Sequence, residues 1–362
     1  MTNYNPNSQS QNIGGPNITV LSSWAPYTLH HAYMPKQKIS YITGNLFELP
    51  SLNIVYGAPG SLKSFLLADL ACCVAGGTNW LPSMPNSNNV QALPTNQSPV
   101  LWLDFDNGVR RTNERFAVLG KALNLPTIAP LNYFSMPTPL LNVGDATHVK
   151  DLTEIICHYL AKLVVIDNLG SISGGADENS GEMIKIFANM RQIAETTGAA
   201  IVIIHHPRKS NSNNGRKGDT LRGHSSIEAA LDLALLIERL PNSLTISIQP
   251  TKVRGSDIKP FGARFTYQND LNGDIETARF FAETSQSFIT TQTIREAIID
   301  CLSSKTLKKS DLVAQVMAFF PNSVGRNKTV AEIDALIVDG YIKQNAGKNN
   351  SKLLSCNPAK PF

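Results

Sequence analysis

The chain has 362 residues, of which 42% are hydrophobic and 17% charged. This composition excludes a disordered chain and predicts a globular protein with one large domain and a smaller one. The net charge of +4 is mildly basic, which is compatible with a nucleic-acid partner. No apolar run approaches the roughly 20 residues of a membrane span. The first 40 residues lack the pattern of a secretory signal. We therefore expect a cytoplasmic protein with no membrane partner.

The first segment, residues 1–40, is rich in Asn, Ser, Pro and Gln and predicts a polar tail or arm. A flexible tail is one interpretation. The other is an arm that docks on a neighbouring subunit through Trp24, Tyr27 and Tyr33. A second polar stretch, residues 82–98, predicts a surface loop.

Residues 52–64, LNIVYGAPGSLKS, run from an apolar strand into a glycine-bearing loop. They nearly match the P-loop pattern Gly-x-x-x-x-Gly-Lys-Ser/Thr, in which inward N–H groups, a lysine and a helix N-terminus bind phosphates. Gly57, Lys63 and Ser64 fit, whereas Leu62 replaces the second glycine, a change that bears on hydrolysis more than on nucleotide binding. The predicted ATP-binding set is Gly57, Ala58, Pro59, Gly60, Ser61, Leu62, Lys63, Ser64 and Phe65.

Beyond this loop, short and continuously apolar segments alternate with helical ones, which predicts parallel strands covered by helices on both faces. The expected fold class is a doubly wound α/β core. Four strands are predicted at 53–57, 100–104, 163–167 and 200–205. Two later runs, 231–238 and 244–249, are expected to end the sheet.

Asp167 ends the apolar segment Leu-Val-Val-Ile-Asp, about a hundred residues after the phosphate loop. Such a carboxylate reaches the Mg²⁺ that accompanies ATP, together with the hydroxyl of Ser64. A strand that merely ends in aspartate is the alternative. We predict a Mg²⁺ site at Ser64 and Asp167.

Other strand ends offer groups that act on the attacking water or sense the γ-phosphate. Asp106 and Asp104 follow the segment 100–104, and we favour Asp106 as the base because it lies just beyond the strand. Both carboxylates could instead belong to a turn. His205 and His206 follow another apolar strand and are candidate γ-phosphate sensors.

Cations cluster after the two histidines. The Gly/Asn/Ser-rich loop 208–218 predicts contacts to a DNA backbone, with an ordinary solvated loop as the alternative; its candidate residues are Arg208, Lys209, Arg216 and Lys217. Further on, Arg222, Lys252 and Arg254 lie on predicted turns. A cation at such a turn fits a finger that reaches the γ-phosphate of a neighbouring subunit, which requires a ring or filament.

From about residue 286 the pattern changes to three amphipathic helices followed by two short strands. That order predicts a winged helix-turn-helix, with Arg326 and Lys328 as DNA-binding candidates. Residues 286–362 hold ten Lys/Arg against six Asp/Glu, so the basic excess lies here. A winged domain used only for protein contact is the alternative. The predicted division of the chain is 1–40, 41–285 and 286–362.

The phosphate loop, the strand-end groups and the segments Arg-Gly-His-Ser-Ser and Lys-x-Arg, in this order, resemble the RecA-like hexameric helicase class among the AAA family ATPases. The resemblance covers about residues 40–285 and is greatest to RepA-type plasmid and phage replicative helicases. It implies that Asp106 is the counterpart of a catalytic glutamate, one methylene shorter. It also implies that Arg222, Lys252 and Arg254 are finger candidates.

The predicted function is thus an ATP-dependent, DNA-binding motor, a replicative helicase of a plasmid, phage or mobile element. It would form a homo-oligomer, expected as a hexameric ring, with single-stranded DNA in the channel and duplex DNA at the winged domain. One alternative is a recombination or repair ATPase that forms filaments without unwinding. Another is a nucleotide-gated DNA-binding regulator.

Overall fold

The computed structural model describes residues 26–36, 38–84, 92–176, 181–206, 225–239, 244–255, 257–283, 291–303, 305–320, 324–346 and 352–357. The chain divides into two compact units, Met1–Ile39 and Ser40–Phe362. In the first unit, helix α1 spans Leu29–Tyr33 and none of its residues is buried. None of the described helices combines the length and apolar character that a membrane crossing requires.

The second unit is built on a nine-stranded sheet in the order β11-β10-β9-β8-β3-β7-β6-β4-β5. The six strands from β8 to β5 in this order are parallel, and β9, β10 and β11 continue the sheet antiparallel. Their bounds are β3 Ser51–Tyr56, β4 Val100–Asp104, β5 Leu131–Ser135, β6 Leu163–Asp167, β7 Ala200–His205, β8 Leu233–Arg239, β9 Thr245–Val253, β10 Phe261–Asn269 and β11 Ile275–Glu283. A small hairpin, β1 Ser40–Thr43 with β2 Leu46–Leu49, precedes β3.

Helices cover both faces of the parallel strands. They are α2 Lys63–Gly76, α3 Val109–Ala122, α4 Ala146–His158, α5 Leu169–Ile172, α6 Glu182–Thr197 and α7 Ser225–Ala230. Because neighbouring strand residues point to opposite faces, Val55 and Trp102 join the core under α2 and α3. Ile54 and Leu101 join the core under α4 and α6. The prediction of a doubly wound α/β core is therefore confirmed.

The sheet does not end where the sequence suggested. Strands β10 and β11 continue it beyond β9, and β5 and α4 occupy a stretch in which we predicted no element. The residues of β5 are half-buried or exposed, and β10 mixes buried and exposed positions, so these edge elements lack the continuous apolar runs of the central strands.

Strand β11 is joined to α2 through a buried carboxylate. Asp69 of α2 has no solvent exposure, and its Oδ1 accepts the N–H of Phe280 at 3.3 Å and lies 4.0 Å from the Nε of Arg279. Burial raises the pKa of Asp69 to about 7, against the opposing effect of the Arg279 guanidinium. This contact holds the antiparallel part of the sheet on the helix that begins at the phosphate loop.

The C-terminal residues form their own hydrophobic cluster. The elements are α8 Thr291–Leu302, β12 Leu307–Lys308, α9 Lys309–Phe319, α10 Arg326–Val338, β13 Ile342–Ala346 and β14 Lys352–Cys356. The three strands pair antiparallel in the order β12-β14-β13. The order along the chain is thus helix, short strand, two helices and a hairpin.

Candidate active site

The loop between β3 and α2 has the backbone geometry of a phosphate cradle. Gly57 has φ +153°, and a Cβ there would lie 2.2 Å from the carbonyl oxygen of Ile237 in β8. Gly60 has φ +76°, with open space around it. Ala58, Pro59 and Gly60 are exposed at the tip of the loop. Arg239, at the end of β8, donates to the Gly60 carbonyl oxygen at 3.3 Å.

Leu62 adopts the conformation that explains why the motif normally has glycine at this position. Its φ of +68° and ψ of +16° lie in the left-handed region, where a residue with a Cβ is disfavoured by about 1–2 kcal/mol. Its partly buried side chain packs against the hydrophobic core under α2. The loop therefore keeps its shape despite the departure from the motif.

We expect Gly57→Ala to abolish nucleotide binding, because the added Cβ would collide with backbone that a strand holds in place. Gly60→Ala is the matched control, since its Cβ meets open space and the cost is limited to the positive φ, about 1–2 kcal/mol. Titration with a fluorescent ATP analogue measures both. Equal binding by the two variants would contradict this account of the loop.

Lys63 is buried inside the loop, with 2% of its surface exposed. Its Nζ donates to the carbonyl oxygens of Gly57 at 2.8 Å and Ala58 at 2.9 Å and to the Ser61 hydroxyl at 3.2 Å. Burial lowers the pKa of Lys63 to about 8, while the nearby carboxylates of Asp167 and Asp106 oppose this change. The ammonium group thus lies where the phosphates of a nucleotide would replace the loop carbonyls as its partners.

Strands β3, β7, β6 and β4 are neighbours, so their carboxyl ends meet at one edge of the sheet. In register, Tyr56 pairs with His205, Ile204 with Asp167 and Asp167 with Asp104. Donor atoms of Asp106, Asp167 and His206 all lie within 4.8 Å of one another. The structure therefore brings the strand-end residues together beside the phosphate loop.

Asp167 is completely buried, and the Ser64 hydroxyl interacts with it, but neither of its carboxylate oxygens has a partner in full hydrogen-bond geometry among the described residues. Burial raises the pKa of Asp167 to about 6, while the Ser64 hydroxyl and the Arg115 guanidinium lower it. An unsatisfied buried carboxylate beside a hydroxyl is the donor set that Mg²⁺ prefers, oxygen atoms only. The residues present therefore fit a Mg²⁺ ion.

Asp104 and Asp106 have different surroundings. Asp104 is fully buried, and its Oδ1 accepts the N–H groups of Asp106 and Asn107 at 3.0 and 2.8 Å. Its Oδ2 accepts the Thr112 hydroxyl at 2.9 Å. Asp106 is exposed, and the Asn168 side-chain amide donates to its Oδ1 at 3.1 Å. These contacts engage Asp104 in shaping the turn and leave Asp106 facing the site.

The surroundings of both histidines lower their pKa values, which favours the neutral imidazole. Burial lowers the pKa of His205 to about 4, and His206 and the Lys63 ammonium lower it further. The pKa of His206 is also lowered, first by burial and then by Lys63, while Asp106 opposes the change. A neutral imidazole can accept as well as donate a hydrogen bond, which suits a group that distinguishes a bound γ-phosphate from its absence.

Sequence reasoning missed Arg115, which lies on α3 with 9% of its surface exposed. Its Nη1 lies 3.6 Å from Asp104 and 3.9 Å from Asp167, and its guanidinium carbon lies 5.2 Å from the centre of the Phe65 ring. It therefore compensates two buried carboxylates. One signal could have identified it, because Arg115 occupies the buried face of α3 together with Thr112, Phe116 and Leu119.

The predicted finger residues Lys252 and Arg254 lie away from their own phosphate loop. Arg254 donates its backbone N–H to the Asp232 carbonyl, and the Asp232 N–H pairs with Leu52, five residues before Gly57. At about 3.3 Å per residue this places Arg254 about 16 Å along the sheet from the loop. Its guanidinium donates to the Asp232 carboxylate at 3.4 Å and to the carbonyl oxygen of Ala229.

Five predicted cations, Arg208, Lys209, Arg216, Lys217 and Arg222, lie outside the described residues. Arg326 and Lys328 are exposed in the first turn of α10.

A phosphate loop with a buried lysine, at the carboxyl edge of a parallel sheet and beside strand-end carboxylates and imidazoles, defines a P-loop ATPase. A family model described as an AAA domain matches residues 30–212, just over half of the chain. The chain therefore belongs to the AAA domain family, and the prediction of an ATPase is confirmed. Its strand order and site fit the RecA-like α/β core that we predicted.

Among solved structures, the chain is similar to one described as an ATPase domain, with 11% identity, a TM-score of 0.46, and coverage of 63% of this chain and 84% of that chain.

Proposed function

We propose that this ATPase is a DNA-dependent, oligomeric motor, a replicative helicase of a plasmid, phage or mobile element. The observation that carries the proposal is the convergence of Lys63, Asp106, Asp167 and His206 at one edge of the sheet. This arrangement supports ATP turnover, because it combines a phosphate-binding ammonium, a candidate base and a candidate γ-phosphate sensor.

ATP and Mg²⁺ are the proposed cofactors. Loop residues 57–65 would hold the phosphates, and the Ser64 hydroxyl and the Asp167 carboxylate would hold Mg²⁺. When bound, Mg²⁺ stabilises negative charge on the phosphoryl oxygens.

The protein's own residues supply the remaining chemistry. Asp106 is the proposed base, which orients the attacking water and accepts its proton, and Asn168 fixes this carboxylate at one oxygen. Asp104 shapes the turn that carries Asp106. His205 and His206 are the proposed sensors at the γ-phosphate. Arg115 is a positioning residue that balances the charges of Asp104 and Asp167.

Lys252 and Arg254 are proposed to act on the nucleotide of a neighbouring subunit. The position of Arg254 supports this, because an arginine side chain is too short to span about 16 Å. Such an arrangement requires a homo-oligomer, and we propose a closed hexameric ring. Arg222 remains a further finger candidate.

The finger proposal is tested by mixing two inactive variants. Arg254→Ala keeps an intact phosphate loop, and Lys63→Ala keeps an intact finger. Random assembly of equal amounts pairs a working loop with a working finger at about one interface in four, so we expect partial recovery of ATP hydrolysis. Arg264→Ala, an exposed arginine on β10, is the control and should stay active alone. No recovery on mixing, with both variants folded and assembled together, would contradict the proposal that Arg254 acts on the nucleotide of a neighbouring subunit.

DNA contacts are proposed at two places. The loop residues Arg208, Lys209, Arg216 and Lys217 would contact single-stranded DNA in the channel. The C-terminal element order, with Arg326 and Lys328 exposed at the start of α10, supports a winged helix-turn-helix that binds duplex DNA. In this proposal the chain has three parts, a polar arm at 1–40, the ATPase at 41–285 and the winged domain at 286–362.

The deciding experiment is steady-state ATP hydrolysis by the purified full chain with and without single-stranded DNA. Strong stimulation supports the motor, and strand separation is then the next assay. Nucleotide binding without turnover would favour the nucleotide-gated regulator. Stimulated turnover by open filaments, seen in electron micrographs, would favour the recombination ATPase.

A further inference from the structure

Three potential metal ligands of mixed chemistry converge beside the phosphate loop. Asp106 follows β4, Asp167 ends β6 and His206 follows β7, and their donor atoms lie within 4.8 Å of one another. Because β4, β6 and β7 are adjacent strands with paired ends, the sheet itself fixes the spacing of these groups. The cluster is therefore part of the rigid core and does not depend on a loop alone.

Two members of the cluster have potential metal-ligand atoms that lack a hydrogen-bond partner of good geometry among the described residues. Asp167 has no solvent exposure. Ser64 and Arg115 lie near it, but neither oxygen has a partner in full hydrogen-bond geometry among the described residues. The Nδ1 atom of His206 is likewise buried, and no hydrogen-bond partner for it occurs in the described part of the chain. Leaving such buried groups without partners is unfavourable, so a ligand that engages them stabilises the site.

The donor set distinguishes between metals. Mg²⁺ prefers oxygen ligands alone and keeps several waters. An imidazole nitrogen with two carboxylates suits Mn²⁺, Fe²⁺, Co²⁺ or Zn²⁺, for which affinity at nitrogen-containing sites rises along the first transition row.

We propose that, in the absence of nucleotide, Asp106, Asp167 and His206 bind a divalent transition-metal ion. This site differs in its donors from the Mg²⁺ site that accompanies ATP, but it uses Asp167 in common with it and also uses the proposed base, Asp106. The transition-metal ion and a productive Mg²⁺·ATP complex therefore exclude each other. The ion acts as a competitive inhibitor that holds the enzyme in its nucleotide-free state.

The test uses Mn²⁺ as the probe on the nucleotide-free full chain, with Mg²⁺ in excess to fill ordinary carboxylate sites. Loss of the free Mn²⁺ signal in electron paramagnetic resonance gives the stoichiometry, expected to be about one ion per chain. Electron spin echo modulation by ¹⁴N then reports directly on an imidazole ligand. No bound Mn²⁺ under these conditions, or bound Mn²⁺ without ¹⁴N modulation, would overturn the proposal.

Variants assign the ligand. His206→Gln should weaken Mn²⁺ binding by about tenfold or more and remove the ¹⁴N modulation. His158→Gln, at an exposed histidine that ends α4, should change neither. Unchanged Mn²⁺ binding in the folded His206→Gln variant would contradict the assignment. The measurement contains no ATP and no DNA, so its result is independent of whether the protein is a motor.

Discussion

Replacing Lys63 with alanine is expected to lower ATP hydrolysis by about a thousandfold, the upper range for loss of one preorganised charged donor. The ammonium already lies inside the loop, 2.8 and 2.9 Å from the carbonyl oxygens of Gly57 and Ala58. A nucleotide would gain this charge without moving it far. Steady-state phosphate release, measured with and without single-stranded DNA, gives the size of the effect.

Two controls accompany this measurement, a lysine substitution away from the site and a test that the Lys63→Ala variant is folded. Lys121→Ala, at an exposed position near the end of α3, removes the same charge away from the site and should leave turnover unchanged. Alanine at position 63 also removes a buried charge that is costly to desolvate, so the melting temperature should not fall. Turnover by Lys63→Ala above about a tenth of the natural rate would contradict the role that we assign to this loop.

The sequence predicts the central strands of the sheet more accurately than the edge strands. The strands at 100–104, 163–167 and 200–205 were predicted with the bounds observed, because buried parallel strands read as continuous apolar runs. Strands β10 and β11 were missed as parts of the sheet, since half-exposed strands mix polar and apolar residues. Pattern alone therefore locates the centre of the sheet better than its edges.

The candidate site shows a similar division. Residues attached to strand ends, such as Asp167 and His206, could be predicted to meet because parallel strands end at one edge. Arg115 was missed, because it reaches the site from the middle of a helix. Its place on the buried face of α3 marks it as unusual, but only packing shows that it lies between Asp104 and Asp167. Leu62 is a third case, since its backbone conformation, which no residue pattern reveals, preserves the loop.

The sequence also left open which aspartate is the base, and substitution to asparagine should separate the two. Asp106→Asn is expected to lower kcat by about 10²- to 10⁴-fold, the usual contribution of a general base, with the Kd for ATP changed less than about twofold. Asp106→Glu, which keeps the carboxylate, should retain measurable turnover. Single-turnover hydrolysis together with fluorescent-nucleotide binding separates these effects.

Asp104→Asn should act mainly on stability. An amide cannot accept at both ends, so the Thr112 hydroxyl loses its shortest acceptor and Arg115 loses one of its two anionic partners. Leaving such buried groups unpaired lowers the free energy of unfolding by about 1–3 kcal/mol, measurable by urea denaturation. If Asp104→Asn instead abolished turnover at unchanged stability, while Asp106→Asn stayed active, the buried carboxylate would be the base. The turn that it organises would then have to open during the reaction, because its oxygens are engaged in the resting structure.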